Sequence, residues 1–224
     1  MDLIDKAFDE YVIHGVTHNI GFGKSIIHNE AFKAGDYSTA FIPTYYPQGY
    51  EGKALTDENM EVLALACHKM KNINAGFYKN DVTERNDLHN KVVYVTILGK
   101  GEFADREYKV EGNETHYKIT DLLNGKTTVH ALNNFTYSHN SLLRLGLSQG
   151  SETLQFMGST NDLRFDFYYH GGKINTLIYD EVQYKYKKHI APPVKIDHSK
   201  SVLSPMPGSV VSINVVAGQT VVDG

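Results

Sequence analysis

Apolar residues change their period twice along the chain. Between Asp2 and about Pro47 they recur at helical spacing. Ile4, Ala7, Phe8, Tyr11 and Val12 fall three and four residues apart, which puts them on one face of a short helix. Gly15 is expected to stop it. Ile20 to Ile27 predicts a second helix capped by Thr17 or Asn19, although Gly21 and Gly23 weaken it. Asn29-Glu-Ala-Phe-Lys-Ala-Gly35 predicts a short capped turn, with Gly35 where a left-handed residue ends helices. No stripe in this stretch could close a core of its own, so it reads as the edge of something larger.

Pro43, Pro47, Gly49 and Gly52 then read as a linker. Thr56 has the place of a helix cap, followed by Asp57 and Glu58, where the helix dipole favours anions. Val62-Leu-Ala-Leu-Ala-Cys67 is apolar on every side, and a helix apolar all round is buried all round. One buried helix is therefore expected from about Asp57 to Asn74, with Gly76 as its stop.

From Lys91 the period becomes two. Eight strands are predicted: Val93–Ile97, Tyr108–Val110, Tyr117–Ile119, Thr127–Ala131, Leu143–Leu147, Thr153–Phe156, Leu163–Phe167 and Lys173–Ile178. Turn residues separate most of them, and Asn124-Gly125 is a two-residue hairpin signal. Regular short spacing argues for an antiparallel meander, and eight strands can close into a barrel with a filled interior. The buried helix needs an apolar sleeve and the barrel needs a filling, so each explains the other. Tyr184-Lys-Tyr-Lys-Lys188 reads as a solvated tail, and Pro192-Pro193 opens a second linker that continues through Asp197-His-Ser-Lys-Ser. The last segment, from Leu203, reads as two short strands. So little strand cannot make an independent core, and both ends of the chain read as cut.

Composition narrows the function classes. The 224 residues carry 22 Lys+Arg against 26 Asp+Glu, a formal net charge of −4. No basic excess exists to release counterions from nucleic acid. Hydrophobic residues make up 41%, enough for a packed core, in one or two domains of ~100–200 residues each. No apolar run approaches the ~20 residues of a membrane span. The start, Met1-Asp-Leu-Ile-Asp5, lacks the apolar region of a signal peptide. A single cysteine, Cys67, rules out an internal disulfide framework and a cysteine-rich zinc site. No Trp beside 15 Tyr and 10 Phe suits a β-rich chain.

Few residues invite chemistry. His14 and His18 stand four apart, a spacing that could place two metal ligands on one helix face, but Gly15 and Thr17 interrupt it and no third ligand is near. They read as structural or surface residues, and no metal site is expected. His68 reads as a hydrogen-bonded core histidine, and Cys67 as a small buried hydrophobe. Gly21-Phe-Gly23 and Gly99-Lys-Gly101 do not complete a phosphate-binding glycine pattern. Asn113-Glu-Thr115 and Asn134-Phe-Thr136 match the glycosylation sequon and read as chance. The aromatic–basic alternation from Tyr184 to Lys188 could stack bases, but the acidic total favours a half-exposed strand or tail.

Two motif groups carry a resemblance. Ser204-Pro205-Met206-Pro207-Gly208, then Val211, Val215, Gly218 and Gly224, resembles the opening half of a biotinyl carrier domain. Ala7-Phe-Asp-Glu-Tyr-Val-Ile-His-Gly-Val-Thr-His-Asn19, with Phe32–Phe41 and Tyr46–Gly52, resembles the end of a biotin carboxylase domain. Taken together the chain resembles the α chains of biotin-dependent acyl-CoA carboxylases, nearest to the propionyl-CoA type. The match is strong at both ends and weak through the β middle. The implied fold class is α+β, mainly β: an antiparallel eight-stranded barrel around a central helix, preceded by a small helical tail and followed by half of a biotinyl-type β domain. The implied domains are 1–47, the end of the biotin carboxylase; 48–198, a biotin-transfer, subunit-mediating domain; and 199–224, the start of the carrier.

The resemblance also implies a role. The family's catalytic residues lie upstream and its biotinyl lysine downstream, so no catalytic, metal or biotin-attachment residue is expected between Met1 and Gly224. The parent enzyme would use biotin, ATP and Mg²⁺ or Mn²⁺, work with a carboxyltransferase β subunit in an oligomer, and reside in the mitochondrial matrix. The chain itself would supply subunit docking and the carrier linker, and be inactive alone. By position, the docking loop falls on the connector 77–89, with Phe77, Tyr78, Arg85 and Leu88 as interface residues. A 3-methylcrotonyl-CoA carboxylase α chain and a non-enzymatic β-barrel interaction module are the alternatives.

Overall fold

The computed structural model describes residues 2–50, 55–78, 92–99, 104–112, 115–138, 141–160 and 163–189, with 212, 215–216 and 218–220. Two compact units are distinguished, Met1–Lys188 and His189–Gly224. In the first unit five helices precede eight strands. The helices are α1 (Asp2–Glu10), α2 (Ile20–His28), α3 (Glu30–Ala34), α4 (Phe41–Tyr45) and α5 (Asp57–Tyr78). The strands are β1 (Val93–Ile97), β2 (Arg106–Gly112), β3 (His116–Asp121), β4 (Thr127–Tyr137), β5 (Leu142–Leu147), β6 (Gly150–Thr160), β7 (Arg164–Tyr169) and β8 (Gly172–Tyr179). A last helix, α6 (Glu181–Tyr186), runs into a 3₁₀ turn at Lys187–His189.

The strands pair in sequence order, all antiparallel, and β1 pairs with β8 to close a barrel. All eight predicted strands are present, and β1 has the predicted bounds. Alternation decides which side chains enter the barrel: Tyr117, Ile119 and Asp121 of β3, Phe165, Phe167 and Tyr169 of β7, and Ile174, Thr176 and Ile178 of β8 are buried while the residues between them are less so. The two longest strands, β4 and β6, shift register at Leu132/Asn134 and Phe156/Gly158, which bends them around the cylinder.

Helix α5 fills the interior. Leu63 to His68 are all 0% exposed, and six consecutive residues cover every face of a helix. Their neighbours in the core come from the barrel strands, including Tyr108, Tyr117, Leu145, Leu154, Phe167 and Ile178. The start of α5 is held as expected: Thr56 Oγ1 accepts from the Asn59 N–H while Asn59 Oδ1 accepts from the Thr56 N–H. The expected stop does not hold. The helix runs through Gly76 to Tyr78, which a mid-helix glycine permits at a cost of about 1 kcal/mol.

Other expectations need correction. Helix α1 ends at Glu10, five residues before Gly15, because Gln155 of β6 donates to the Asp9 and Tyr11 carbonyls and docks the helix end on the barrel. Tyr11 is 65% exposed and Ile4 is exposed too, so the predicted apolar face is only partly buried. Asn19 takes the N-cap position of α2 without a capping bond from its side chain. Pro43 lies inside α4 rather than in a linker, in the first turn, where its missing N–H is not needed. The β3–β4 connection spans Leu122–Lys126, not two residues, since Asp121 Oδ1 takes the Leu123 N–H and Gly125 adopts a left-handed conformation. Residues 184–188 form helix and 3₁₀ turn rather than a tail. The short Asn29–Gly35 unit is as predicted, with Asn29 capping α3 and Gly35 left-handed.

Candidate functional site

The predicted site residues fall largely beyond what is described. Ser204, Pro205, Met206, Pro207, Gly208 and Gly224, and Arg85 and Leu88, lie outside the described residues. Phe77 and Tyr78 form the last turn of α5, but their side chains lie outside the description as well. Gly218 is described and is left-handed at φ 87° in a turn where the Gln219 N–H donates to the Val216 carbonyl.

The described part of the platform is the barrel and its filling. Polar bonds fix the rotation and depth of α5. Glu61 Oε2 lies 2.8 Å from His130 Nε2 of β4. Asn59 reaches Tyr169 at 3.4 Å and His170 at 3.1 Å, and the Tyr169 hydroxyl donates to Glu152 at 2.8 Å. Arg106 pairs with Asp121 at 2.5 Å and with Asp57 at 3.4 Å. Burial pushes the Asp121 carboxyl up, but the Leu123 N–H and Arg106 outweigh it and hold it below its ordinary value. Deeper in, the Cys67 thiol contacts Thr176 Oγ1 at 3.5 Å, and Thr176 donates to the Phe165 carbonyl. His68 is buried with its ring edge on Tyr117 and Nδ1 3.3 Å from Asn72, the core role expected of it.

This arrangement is built for rigidity. Burial pushes the Cys67 thiol up to about 12, which keeps it protonated and unreactive. His14 and His18 lie beyond the end of α1, and His18 packs edge-on against Tyr168 of β7. Among the described residues no group of three or more His, Cys, Asp or Glu side chains is arranged to hold a metal ion. None of the described helices is long and apolar enough to cross a membrane.

Two coverings lie on the outside of the barrel, and sequence reasoning missed how each attaches. The start of α2 touches the β7–β8 turn so closely that a Cβ on Gly21 would sit 2.0 Å from the Gly171 carbonyl oxygen. That contact, rather than a phosphate, accounts for a glycine at position 21. A cleft of about 1020 Å³ opens between α1, α2, residues 45–50, the start of β6 at Glu152 and the β7–β8 turn at His170. Its charges are already paired: Lys24 lies 2.6 Å from both Asp9 oxygens and 3.2 Å from Asp5, and His28 lies 2.7 Å from Asp5. The other covering is α6, whose Tyr184 stacks on Tyr94 of β1. The pattern Asp180-x-x-Gln183, a reciprocal cap in the structure, was the signal that could have revealed that helix.

Comparison with known proteins adds what the described geometry lacks. The Caenorhabditis elegans protein named propionyl-CoA carboxylase alpha chain, mitochondrial, is 28% identical over 238 aligned residues, covering 100% of this chain and 32% of its own length. The chain resembles propionyl-CoA carboxylase alpha chains throughout. The human mitochondrial alpha chain is 29% identical over 97% of the chain. The bacterial alpha chain from Ruegeria pomeroyi is 25% identical over 97%. No protein-family model matches. The likeness therefore extends through the β middle, where motifs alone were weak. The chain spans about a third of the length of these propionyl-CoA carboxylase alpha chains and corresponds to one region of them.

Proposed function

We propose that the chain is a region of a propionyl-CoA carboxylase α subunit that docks the α chain to its carboxyltransferase β partner and roots the carrier linker. The observation that carries this reading is the likeness along the whole chain, joined to a closed barrel whose centre is occupied by α5. A filled barrel is a stiff platform, and a stiff platform lowers the ordering cost of binding a partner. The end of α5, with Phe77 and Tyr78, and the segment between it and β1, with Arg85 and Leu88, are the proposed contact. Tyr and Arg are the residue types that concentrate binding energy at interfaces.

In the parent enzyme, ATP, bicarbonate and Mg²⁺ would carboxylate biotin, and the carrier would deliver the carboxyl group to propionyl-CoA to give methylmalonyl-CoA. In this reading no residue of the chain is assigned to ATP, metal or biotin, and the sequence contains no Ala-Met-Lys-Met attachment segment. Its residues position and connect. We place the assembly in the mitochondrial matrix; the names of the animal relatives support the mitochondrion.

The test is co-purification of the chain with the propionyl-CoA carboxylase β subunit of the same genome. A stable complex is expected, weakened at least about tenfold when Phe77, Tyr78, Arg85 and Leu88 are replaced by alanine together. Failure to bind any β subunit overturns the reading. Preference for a 3-methylcrotonyl-CoA carboxylase β subunit overturns the substrate assignment.

A further inference from the structure

Helix α6 is too short to exist by itself. Isolated helices below about 12–15 residues are marginal in water, and this one has six. It persists because of what it rests on. Asp180 and Gln183 close a reciprocal cap: the Gln183 N–H donates to Asp180 Oδ1 at 2.8 Å, and the Asp180 N–H to Gln183 Oε1 at 2.9 Å. The Tyr184 ring lies flat on Tyr94, centroids 4.0 Å apart and 5° from parallel. Its hydroxyl donates to Glu107 of β2 at 2.8 Å. Lys187 donates to the same carboxylate and, at 3.0 Å, to Thr96 Oγ1, with its ammonium over the Tyr179 and Tyr184 rings at 5.3 and 5.6 Å. Thr96 and Tyr179 point away from the barrel interior yet are only 3% and 6% exposed, so this covering removes them from water.

The grip spans three elements. Tyr94 and Thr96 lie on β1, Glu107 on β2 and Tyr179 on β8, so α6 crosses the seam where the barrel closes. Burial pushes Glu107 up, but the bonds from Lys187 and Tyr184 outweigh it and lower its pKa, while burial and Glu107 push the Tyr184 phenol up to about 12. The Tyr184–Glu107 bond therefore stands unchanged across neutral pH. The second compact unit begins at His189, two residues beyond Lys187, the last gripping residue.

We propose that α6 is a strap that fixes where the connection to the second unit leaves the barrel, with Tyr184 and Lys187 as the residues that hold it. This rests on the reading that residues 199–224 open a carrier domain. Releasing the strap would add residues 180–189 to the carrier tether. Effective concentration falls roughly as the −3/2 power of tether length once the span is exceeded, so adding these ten residues to the nine of 190–198 dilutes the carrier about threefold at each site it serves. The strap therefore sets the carrier's reach without touching any reacting group.

Hydrogen exchange of the full 224-residue chain tests it. In the wild type, the amides of 183–186 are expected to be protected, opening without the barrel. In a Tyr184→Ala/Lys187→Ala variant they should exchange at least about tenfold faster, while β1, β2 and β8 stay protected. Glu107→Gln, a milder change on the outside of β2, should speed α6 exchange in the same direction, and Lys187→Arg should restore protection. Unprotected α6 amides in the wild type, or unchanged exchange in both Glu107→Gln and the double variant, overturn the proposal. Binding of the β subunit is read separately, so a failed partner assignment leaves the exchange result standing.

Discussion

The barrel and the helices ahead of it are stabilised in opposite ways. In the barrel, burial does the work: α5 is sealed among apolar side chains from β1 to β8, and its polar bonds decide only how it is seated. Along α1–α4 the described core is thin, with Ile27 and Phe41 the buried apolar side chains and none buried in α3. There the contacts are Lys24 between Asp5 and Asp9, His28 on Asp5, rings such as Phe22 on Tyr46, and the seat on Gln155 and Gly171. One region carries its stability in its own hydrophobic pattern. The other takes its shape from the surface it leans on.

Leu65→Ala should break the barrel side of this contrast most. The side chain is fully buried, and such truncations cost about 2–5 kcal/mol. Chemical denaturation should show one cooperative transition at a much lower midpoint. Asp121→Asn comes next. Among the described residues it leaves Arg106 with the exposed Asp57, and losing a charge-assisted bond of this kind costs about 1.5–3 kcal/mol near neutral pH. The pH dependence follows from the sign. Asp121 is lowered in the folded state, so its contribution is complete above the unfolded carboxyl value near 4 and is lost as pH falls through the folded one. The variant should therefore flatten the acid limb of stability against pH. Asp9, among the helices, is raised by burial and has the opposite sign: its ionised form is disfavoured by folding, so acid does not weaken that site through Asp9. Gly21→Ala should have the smallest global effect. A clash with Gly171 costs locally about 1–3 kcal/mol, but the helices can lift off while the barrel stays closed. Proteolysis should cut within 1–50 faster, with the main unfolding transition shifted little.

The same contrast explains what the chain made legible. Strand period and an all-apolar helix are local signals that tertiary packing reinforces, so Val93–Ile97 and Val62–Cys67 read correctly. The end of α1 was not legible, because Gln155 sets it from 146 residues away. The two-residue Asn124-Gly125 hairpin failed because the Asp121 side chain draws the turn wider. The aromatic–basic run at 184–188 looked solvated because the tyrosine and carboxylate that receive it, Tyr94 and Glu107, lie in distant strands. The order of central helix and then barrel was visible in the residues, whereas the clasp of α6 depended on contacts that no local pattern encodes.

Helix α5 precedes every strand of the barrel that encloses it. During synthesis the filling therefore emerges first and must wait, uncovered, while seven hairpin-linked additions build a sheet beside it. Closure needs Thr176–Tyr179 to meet Tyr94–Ile97, the most distant strand pairing along the chain. Local steps can be quick and the final one carries the longest loop to close. A chain synthesised only part-way through β1–β8 would present an open trough with an exposed apolar helix, the kind of nascent surface that chaperones hold.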